Sequence, residues 1–300
     1  MSRARRLLVR FGRERLAIAS LLFLVAVAAL GFAAPWLARL LGQDLAVVDL
    51  LGARLPPSAE HWLGTDELGR DLLLRLFEGG RISLTVALAA ALGSAVVGTA
   101  VGLIAGERGG FIDAFLMRST DAVIALPLLP LLIVLSAVDL TKLGLDPVAA
   151  SGDEAKLGRL IFIIVLVGWT TTARLVRGAT LAALGQDYVR AARALGVPPA
   201  RLLLRHVLPN IATPIIVATM LTVGQIILFE SVLSFLGLGL DPATPSWGQM
   251  LSGAQNLLWD APHLALFPGF AIFLTVAAFN VLGDGLANAL DPRLAALPRR

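Results

Sequence analysis

The chain has 300 residues, of which 57% are hydrophobic and only 15% are charged, and its mean hydropathy is +0.81. A soluble domain has about 25% charged residues, so a water-soluble protein of this composition would lack the polar side chains to cover its surface. The absence of cysteine excludes disulfides, thiolate zinc sites and cysteine nucleophiles, and the three histidines lie far apart in the sequence, so we predict no metal site. The net charge of +4 does not indicate a nucleic-acid partner, because the basic residues form short blocks between apolar runs, as in membrane proteins.

Six apolar segments predict an all-α integral membrane protein with about six transmembrane helices, since a helix needs about 20 apolar residues to cross a bilayer core of ~30 Å. The first segment follows a basic arm, residues 1–15, that carries six arginines. Its apolar run exceeds the roughly 7–15 residues of a signal peptide, so we predict an uncleaved anchor. The fourth segment is short and ambiguous by length alone. The predicted spans cover residues 16–38, 82–105, 122–138, 160–173, 213–236 and 264–282.

The distribution of charge predicts that both termini lie in the cytoplasm. With six spans, the segments assigned to the inside carry 17 Lys and Arg against 7 Asp and Glu, whereas those assigned to the outside carry 8 against 13. Cytoplasmic loops favour Lys and Arg, which supports this orientation. If residues 160–173 did not cross, the arginine-rich stretch 174–212 would lie outside, which argues for six spans over five. The tail 291–300 is then cytoplasmic as well.

Residues 39–81 are predicted to form an external loop that ends in a short surface helix. Thr65 is placed to cap the start of this helix, and Gly79–Gly80 to stop it. A structural plug on the membrane surface and a contact with substrate are both open interpretations. The five later spans form a predicted core over residues 82–290.

The second span carries glycines at four-residue spacing, at Gly98, Gly102 and Gly106. Small residues on one helix face let a second helix approach closely. The pattern predicts a tight helix seam, either within one bundle or between two chains.

Prolines interrupt two predicted spans, at Pro127 and Pro130 in the third and at Pro268 in the sixth. Proline removes a backbone donor and bends a helix, and membranes tolerate such defects where protein or a water-lined path surrounds them. This is compatible with a transport pathway without requiring one.

Glu230 is the only acidic residue well inside a span. A buried intramembrane charge is costly and often functional. The interpretation we favour from sequence is that Glu230 lies near the outer end of the fifth span and reaches water. A proton relay would need further ionisable residues at the same depth, and none is obvious.

The cytoplasmic loop 174–212 is the longest and most basic, and it contains the segment QDYVRAARALGVPPARLLLRHVLPN, residues 186–210. Tyr188 begins an apolar pattern with helical spacing, and Gly196 is suited to end that helix. Pro198–Pro199 then opens a second helix, because the first helical turn does not need proline's missing N–H. A helix, a break and a second helix at the membrane surface fit either docking to a soluble partner or a plain amphipathic surface helix.

The same segment resembles a known family. Ala191–Ala192 followed by Gly196 and Leu208–Pro209 is similar to the "EAA" loop of importer-type ABC transporter permeases. Arg190 stands where that family often has Glu, and His206 where many members have an aliphatic residue. The RH-x-LPN form at 205–210 resembles the peptide-transporter branch.

The resemblance extends over nearly the whole chain, to the "C"-type permeases of dipeptide, oligopeptide and nickel importers. Four further stretches carry it in the same order along the chain: LGTDELGRDLLLRLFEGGRISL at 63–84, GGFIDAFLMRSTD at 109–121, SVLSFLGLGLDPATPSWGQML at 231–251 and FNVLGDGLANALDPR at 279–293. Ala287 and Asn288 depart from the usual charged pattern of the last stretch. The loop 139–159 looks longer than is usual in the family, which leaves the exact subgroup and the substrate open.

The resemblance implies a permease bundle in the bacterial cytoplasmic (inner) membrane that carries peptides or similar small solutes by alternating access. It implies four kinds of partner: the lipid bilayer, a homologous second permease subunit, two cytoplasmic ATPase subunits and an extracytoplasmic substrate-binding protein. The chain has no G-x-x-x-x-G-K-[ST] loop, so we expect no enzyme activity and no cofactor of its own, with ATP and Mg bound by the partner ATPase subunits. In this family the loop forms a coupling helix, and the residues expected to make the coupling contact are Tyr188, Arg190, Ala191, Ala192, Gly196, Arg201, Arg205, His206 and Pro209.

Other functions stay open at this point. Within the family, nickel chelates or opines are alternative cargoes. An ion-coupled secondary transporter would need inverted repeats and several intramembrane ionisable residues, whereas only Glu230 is evident. A membrane-embedded enzyme would need a nucleophile and a base at one depth or a metal cluster, and an exporter permease fits the resemblance less well.

Overall fold

The computed structural model describes residues 10–43, 47–138, 152–239 and 244–290. Within these ranges the regular structure is helical, apart from one isolated bridge between Thr65 and Asp71, so the all-α prediction is confirmed. Residues 1–9 of the predicted basic arm, most of the loop 139–159 and the tail 291–300 lie outside the described residues. The helices are α1 (Arg15–Leu40), α2 (Leu72–Arg108), α3 (Gly110–Ala125), α4 (Leu128–Ala137), α5 (Asp153–Leu184), α6 (Asp187–Ala194), α7 (Pro199–Leu202), α8 (Leu208–Phe235), α9 (Trp247–Ala254) and α10 (His263–Leu290).

The helices of the described ranges account for the six predicted spans. Five segments are long and apolar enough to cross a membrane: α1, α2, α5, α10, and the segment Pro199–Phe235, which contains α8 and the turns before it. The α3–α4 pair is bent by 86° at a short break and gives a sixth span if it is counted as one broken helix. The ambiguous segment 160–173 is the middle of α5, which extends beyond it at both ends to 32 residues.

The break in the third span lies at the predicted proline. Leu126 adopts an extended conformation with φ −76° and ψ 137°, as expected for a residue that precedes a proline. Pro127 then caps α4, and Pro130 lies in the first turn of that helix, where its missing N–H has no partner to lose. Pro127 therefore bends the third span, because it lies between two helices. Pro268, in contrast, lies inside the unbroken α10.

The prediction of a separate surface helix before the second span is wrong. Helix α2 begins at Leu72, where the Asp71 carboxylate accepts a hydrogen bond from the Leu74 N–H at 3.0 Å, and it runs without interruption through Gly79–Gly80. A Cβ at Gly80 would lie 2.9 Å from Cζ2 of Trp247 on α9. The glycine pair therefore provides space for an indole instead of stopping a helix.

Thr65, the predicted cap, belongs to the loop before α2. Its hydroxyl donates to the Gly52 carbonyl and accepts from the Leu55 N–H at 2.8 Å, and the residue is fully buried. Thr65 therefore links two parts of the same loop, and its hydroxyl is not used to cap a helix.

Parallel helices α2 and α5 share the largest helix–helix interface of the described residues. A Cβ at Gly102 would lie 2.6 Å from the Ala173 carbonyl oxygen, and one at Gly98 or Gly106 would be 2.7 or 2.8 Å from a threonine Cβ on α5. The three glycines therefore lie on the side of α2 that contacts α5. Of the two alternatives left open by sequence, the structure places the seam within one bundle.

The bundle has two ends that differ in construction. At one end, α2 and α10 begin and α8 ends. This end is closed by the loop 47–71 and α9, which together we call the α9 cap. At the opposite end, α6, α7 and a π-helical turn, Leu203–Val207, connect α5 to α8. Each end carries one of the candidate sites described next.

Candidate functional site

The predicted helix, break and second helix between α5 and α8 are present. Helix α6 is closed by Gly196, which has φ +78°, a conformation that glycine adopts without strain. The Gly196 N–H donates to the Arg193 carbonyl and the Val197 N–H to the Ala192 carbonyl, which is a Schellman motif. Pro199 then opens α7 as its first residue. A Cβ at Gly196 would meet nothing within 4 Å, so the left-handed backbone is what requires glycine here.

A small apolar cluster anchors this connection to the bundle. Val189 and Ala192 of α6 are buried together with Leu202 and Val207, and Leu103 of α2 belongs to the same cluster. The rest of the cluster comes from α5 and α8: Val176, Ala183 and Ile211. A movement of α6 is therefore passed directly to α2, α5 and α8, because closely packed interiors transmit strain.

The opposite side of the connection is exposed, and we call it the α6 surface: the exposed side chains of residues 187–205. Of the predicted coupling residues, Tyr188, Arg190, Ala191, Gly196, Arg201 and Arg205 lie on it. Pro209, also a predicted coupling residue, is exposed but lies in the first turn of α8. Ala192 is only 7% exposed and belongs to the anchoring cluster, and His206 is half-buried in the π turn. These two residues position the surface instead of forming it.

The α6 surface is basic and has few internal contacts. Its one ion pair among the described residues joins Arg190 to Asp187 at 3.9 Å with both side chains in solvent, and such pairs contribute little. Arg193, Arg201 and Arg205 make no ion pair within the described part of the chain. Leu195 is 84% exposed and Leu204 is 63% exposed. Exposed apolar side chains beside unpaired arginines are typical of a protein-binding surface.

Glu230 is fully buried in α8, so the interpretation that it reaches water is wrong. Its carboxylate accepts hydrogen bonds from the hydroxyls of Ser234 at 2.8 Å and Ser83 of α2 at 3.2 Å, and the Ser246 side chain also hydrogen-bonds to it. Ser246 is the N-cap of α9. We call these four residues the Glu230 node; it joins α2, α8 and α9 through hydroxyl groups.

The described residues contain no group of three or more His, Asp and Glu side chains that would hold a metal ion. The two candidate sites are an exposed basic surface on α6 and α7 and a buried carboxylate with serine partners.

Comparison with known proteins assigns the fold to a family. Residues 98–296 match the family described as binding-protein-dependent transport system inner membrane component. The oligopeptide transport system permease protein OppC of Bacillus subtilis (strain 168) is 38% identical over 287 residues, which are 96% of this chain and 88% of that protein. The glutathione transport system permease protein GsiD of Pectobacterium atrosepticum is 38% identical over 285 residues, or 95% and 89% of the two chains.

The chain belongs to this family of inner membrane transport components. A dipeptide transport system permease protein, DppC of Alkalihalophilus pseudofirmus, is a further relative, 40% identical over 238 residues that are 79% of this chain and 74% of that protein. The resemblance drawn from the loop motif and the four other stretches is confirmed.

Several contacts of this family member are absent from the sequence-based predictions. Arg177 of α5 forms a bidentate pair with Asp113 of α3 at 2.5 Å, and Arg174 pairs with Asp121 at the same distance. Both acids lie in the stretch 109–121 that carries the resemblance, but only the fold shows their partners, which are more than fifty residues away. The exposed Leu195 and Leu204 were also missed, because apolar spacing alone does not distinguish an anchoring face from an exposed one.

Proposed function

We propose that this chain is the membrane-spanning permease subunit of an ATP-driven, binding-protein-dependent importer, and that it forms part of the path for peptides or similar small solutes. Family membership and relatives named for oligopeptide, glutathione and dipeptide transport support this proposal. The observation that carries the mechanism is the α6 surface, which is basic, exposed and joined by a buried apolar cluster to three long helices. Nickel chelates and opines are alternative cargoes for the same machinery.

The α6 surface is proposed to face the cytoplasm and to bind a separate ATPase subunit. The orientation is supported by the excess of Lys and Arg over Asp and Glu in the segments at this end. The sequence has no Walker A loop, so ATP and Mg are assigned to the partner. A second, homologous permease, a second ATPase subunit and an external binding protein would complete the importer.

Coupling follows from how α6 is attached. When the ATPases close on ATP, α6 moves with the subunit to which it is bound. Because Val189 and Ala192 belong to one buried cluster with residues of α2 and α5, and Val207 leads directly into α8, the displacement is proposed to move these helices as a body. Such rigid-body rocking is the common way to change which side of a transport site is open.

Gly196 gives the sharpest test of this proposal. Valine at φ +78° is strained by roughly 1–3 kcal/mol, which opens the Schellman motif and reorients α6 relative to α7. Asparagine tolerates this conformation, so Gly196→Asn is the matched control. In proteoliposomes with the ATPase subunits and the binding protein, Gly196→Val is expected to abolish uptake and transport-linked ATPase activity while its membrane insertion stays normal.

Full uptake by Gly196→Val would contradict the coupling role. The same proteoliposomes also test the ion-coupled alternative, because a secondary transporter would drive uptake from an ion gradient without ATP. The described structure offers Glu230 with serine partners in place of the several ionisable residues that such a carrier uses.

A further inference from the structure

A cavity opens beside the break between α3 and α4. Its walls come from three parts of the bundle: the break itself, the middle of α5 and the second half of α8. Leu126 at the break and Phe229 on α8 give it apolar walls, whereas Thr171 on α5 and Gln225 on α8 bring polar groups to it. Leu126 and Thr171 lie near the centres of their spans, and Gln225 and Phe229 lie in the second half of α8, so the cavity lies between membrane-spanning segments.

The polar groups of this cavity fall into two kinds. Thr222 lines it as well, but its hydroxyl donates to the Ala218 carbonyl of its own helix at 2.8 Å and is satisfied. Thr171 and Gln225 are exposed and make no hydrogen bond within the described part of the chain. An amide or hydroxyl group that faces hydrocarbon without a partner is unfavourable by several kcal/mol. The side of the bundle that carries them is therefore suited to water or a polar solute.

The broken helix supports the same conclusion. The last carbonyls of α3 have no partners within that helix, and of these the Val123 carbonyl is taken by the Leu126 N–H. Pro127 has no N–H to offer the others. Non-helical backbone at membrane depth persists only where protein buries it or where it lines a water-filled cavity, and this break lines a cavity.

The chemistry of the lining limits what the cavity would bind. None of its lining residues is charged, so it offers no counter-ion to the termini or the charged side chains of a cargo. The Gln225 amide supplies both donors and an acceptor, and the Thr171 hydroxyl supplies one of each. Secondary amides have the complementary groups, and they occur in every peptide whatever its side chains.

We propose that this cavity is a transit subsite of the permease, in which Gln225 and Thr171 hydrogen-bond to the uncharged amide backbone of a passing peptide. The proposal rests on the proposed function. It gives this chain a direct contact with cargo that is independent of side-chain identity. A lipid acyl chain or a helix of another subunit could fill the same cavity instead, and the test must distinguish these occupants from a peptide.

The absence of cysteine makes the test direct, because each introduced thiol is the only one in this subunit. Thr171→Cys and Gln225→Cys place thiols in the cavity, and Leu22→Cys is the control, since Leu22 is 64% exposed on α1, the least buried span. The complete transporter, with cysteine-free partner subunits, is reconstituted in liposomes and treated with a charged methanethiosulfonate. The probe cargo is a mixture of di-, tri- and tetra-alanine presented with the binding protein.

We expect both cavity thiols to react at least tenfold faster than the Leu22→Cys thiol, and peptide transport under ATP to slow their reaction. Slow reaction at all three positions would indicate lipid or a protein helix in the cavity and would overturn the subsite. Fast reaction without peptide protection would overturn it as well. If the unmodified transporter takes up no alanine peptide, peptide transport itself fails, which distinguishes that result from failure of the subsite alone.

A second measurement addresses binding. Gln225→Leu removes the amide at similar size and is expected to raise the KM for peptide uptake about fivefold, in keeping with the loss of one hydrogen bond. Thr219→Val is the control, because Thr219 lies on the same helix, outside the cavity, with its hydroxyl bound to the Ile215 carbonyl at 2.8 Å. An unchanged KM in Gln225→Leu, with a normal KM in Thr219→Val, would refute the hydrogen bond to cargo.

Discussion

Charged side chains are buried and paired in the α9 cap, whereas they are exposed to solvent on the α6 surface. In the α9 cap, Asp66 pairs with Arg70 at 2.8 Å and with Arg75 at 3.2 Å, and all three side chains are at most 12% exposed. Nδ1 of His61 and a carboxylate oxygen of Asp71 are hydrogen-bonded at 2.9 Å. On the α6 surface the arginines are exposed, and Arg190 makes only a solvent-exposed pair at 3.9 Å.

This difference shows which end is complete by itself. A buried charge needs its partner within the chain, because an unpaired one is strongly destabilising. The α9 cap meets that requirement with Arg70 of its own loop and Arg75 of the adjoining α2. The α6 surface leaves its charges in water at little cost and available to a partner. The cap therefore closes its end of the bundle with its charges already paired, whereas the α6 surface leaves its arginines exposed, as the proposed ATPase interface requires.

The largest effect is expected from Asp66→Ala in the α9 cap. The substitution leaves two buried arginines without their counter-ion and removes the acceptor for the Leu68 and Arg70 N–H groups. We expect a loss of about 3–5 kcal/mol in the free energy of unfolding, measured as a lower unfolding temperature in detergent.

Asp187→Ala is the matched control on the α6 surface, because Asp187 is fully exposed. Its unfolding temperature should equal that of the unmodified protein. Equal losses in the two variants would show that the two ends do not differ in the way described.

The Glu230 node should respond less strongly. Glu230→Ala leaves the hydroxyls of Ser83 and Ser234 without an acceptor and opens a cavity, which should reduce stability by about 2–4 kcal/mol. Glu230→Gln keeps the size and one acceptor oxygen, so its loss should stay near 1 kcal/mol. Thermal unfolding of both variants in the same detergent checks the order, and a larger loss in Glu230→Gln would contradict the node.

The smallest effect on folding is expected from charge reversal on the α6 surface. Arg193→Glu and Arg201→Glu should leave the unfolding temperature unchanged, because both residues are exposed and make no ion pair in the described part of the chain. Each should weaken binding of the ATPase subunit about tenfold at low salt, and less at high salt. Affinity measured in nanodiscs at two salt concentrations checks this, and salt-independent binding would argue against electrostatic recognition.

Local signals in the sequence predicted the parts of the fold that depend on neighbouring residues. Pro127 predicts the bend of the third span, Gly196 the end of α6 and Pro199 the start of α7. The glycine spacing predicts a close helix contact. Each of these is a property of backbone geometry at one point in the chain.

The failures involve partners that are distant in the sequence. Gly79–Gly80 was taken for a helix stop because the Trp247 side chain that fills the space beside it lies more than 160 residues away. The burial of Glu230 is not evident from sequence, because two of its three serine partners, Ser83 and Ser246, come from α2 and from the N-cap of α9. Periodicity also gave no sign that Ala192 is buried while the adjacent Ala191 is exposed.

The central claim is that the α6 surface lies in the cytoplasm against an ATPase subunit, and Leu195 is the best position to test it because its side chain is 84% exposed. Leu195→Cys, again the only thiol in this subunit, is treated with a membrane-impermeant maleimide. We expect no labelling in intact cells and rapid labelling in inside-out vesicles stripped of the ATPase subunits, with protection when those subunits are added back. Labelling of Leu195→Cys from outside intact cells, or labelling in vesicles that the ATPase subunits do not slow, would contradict the account.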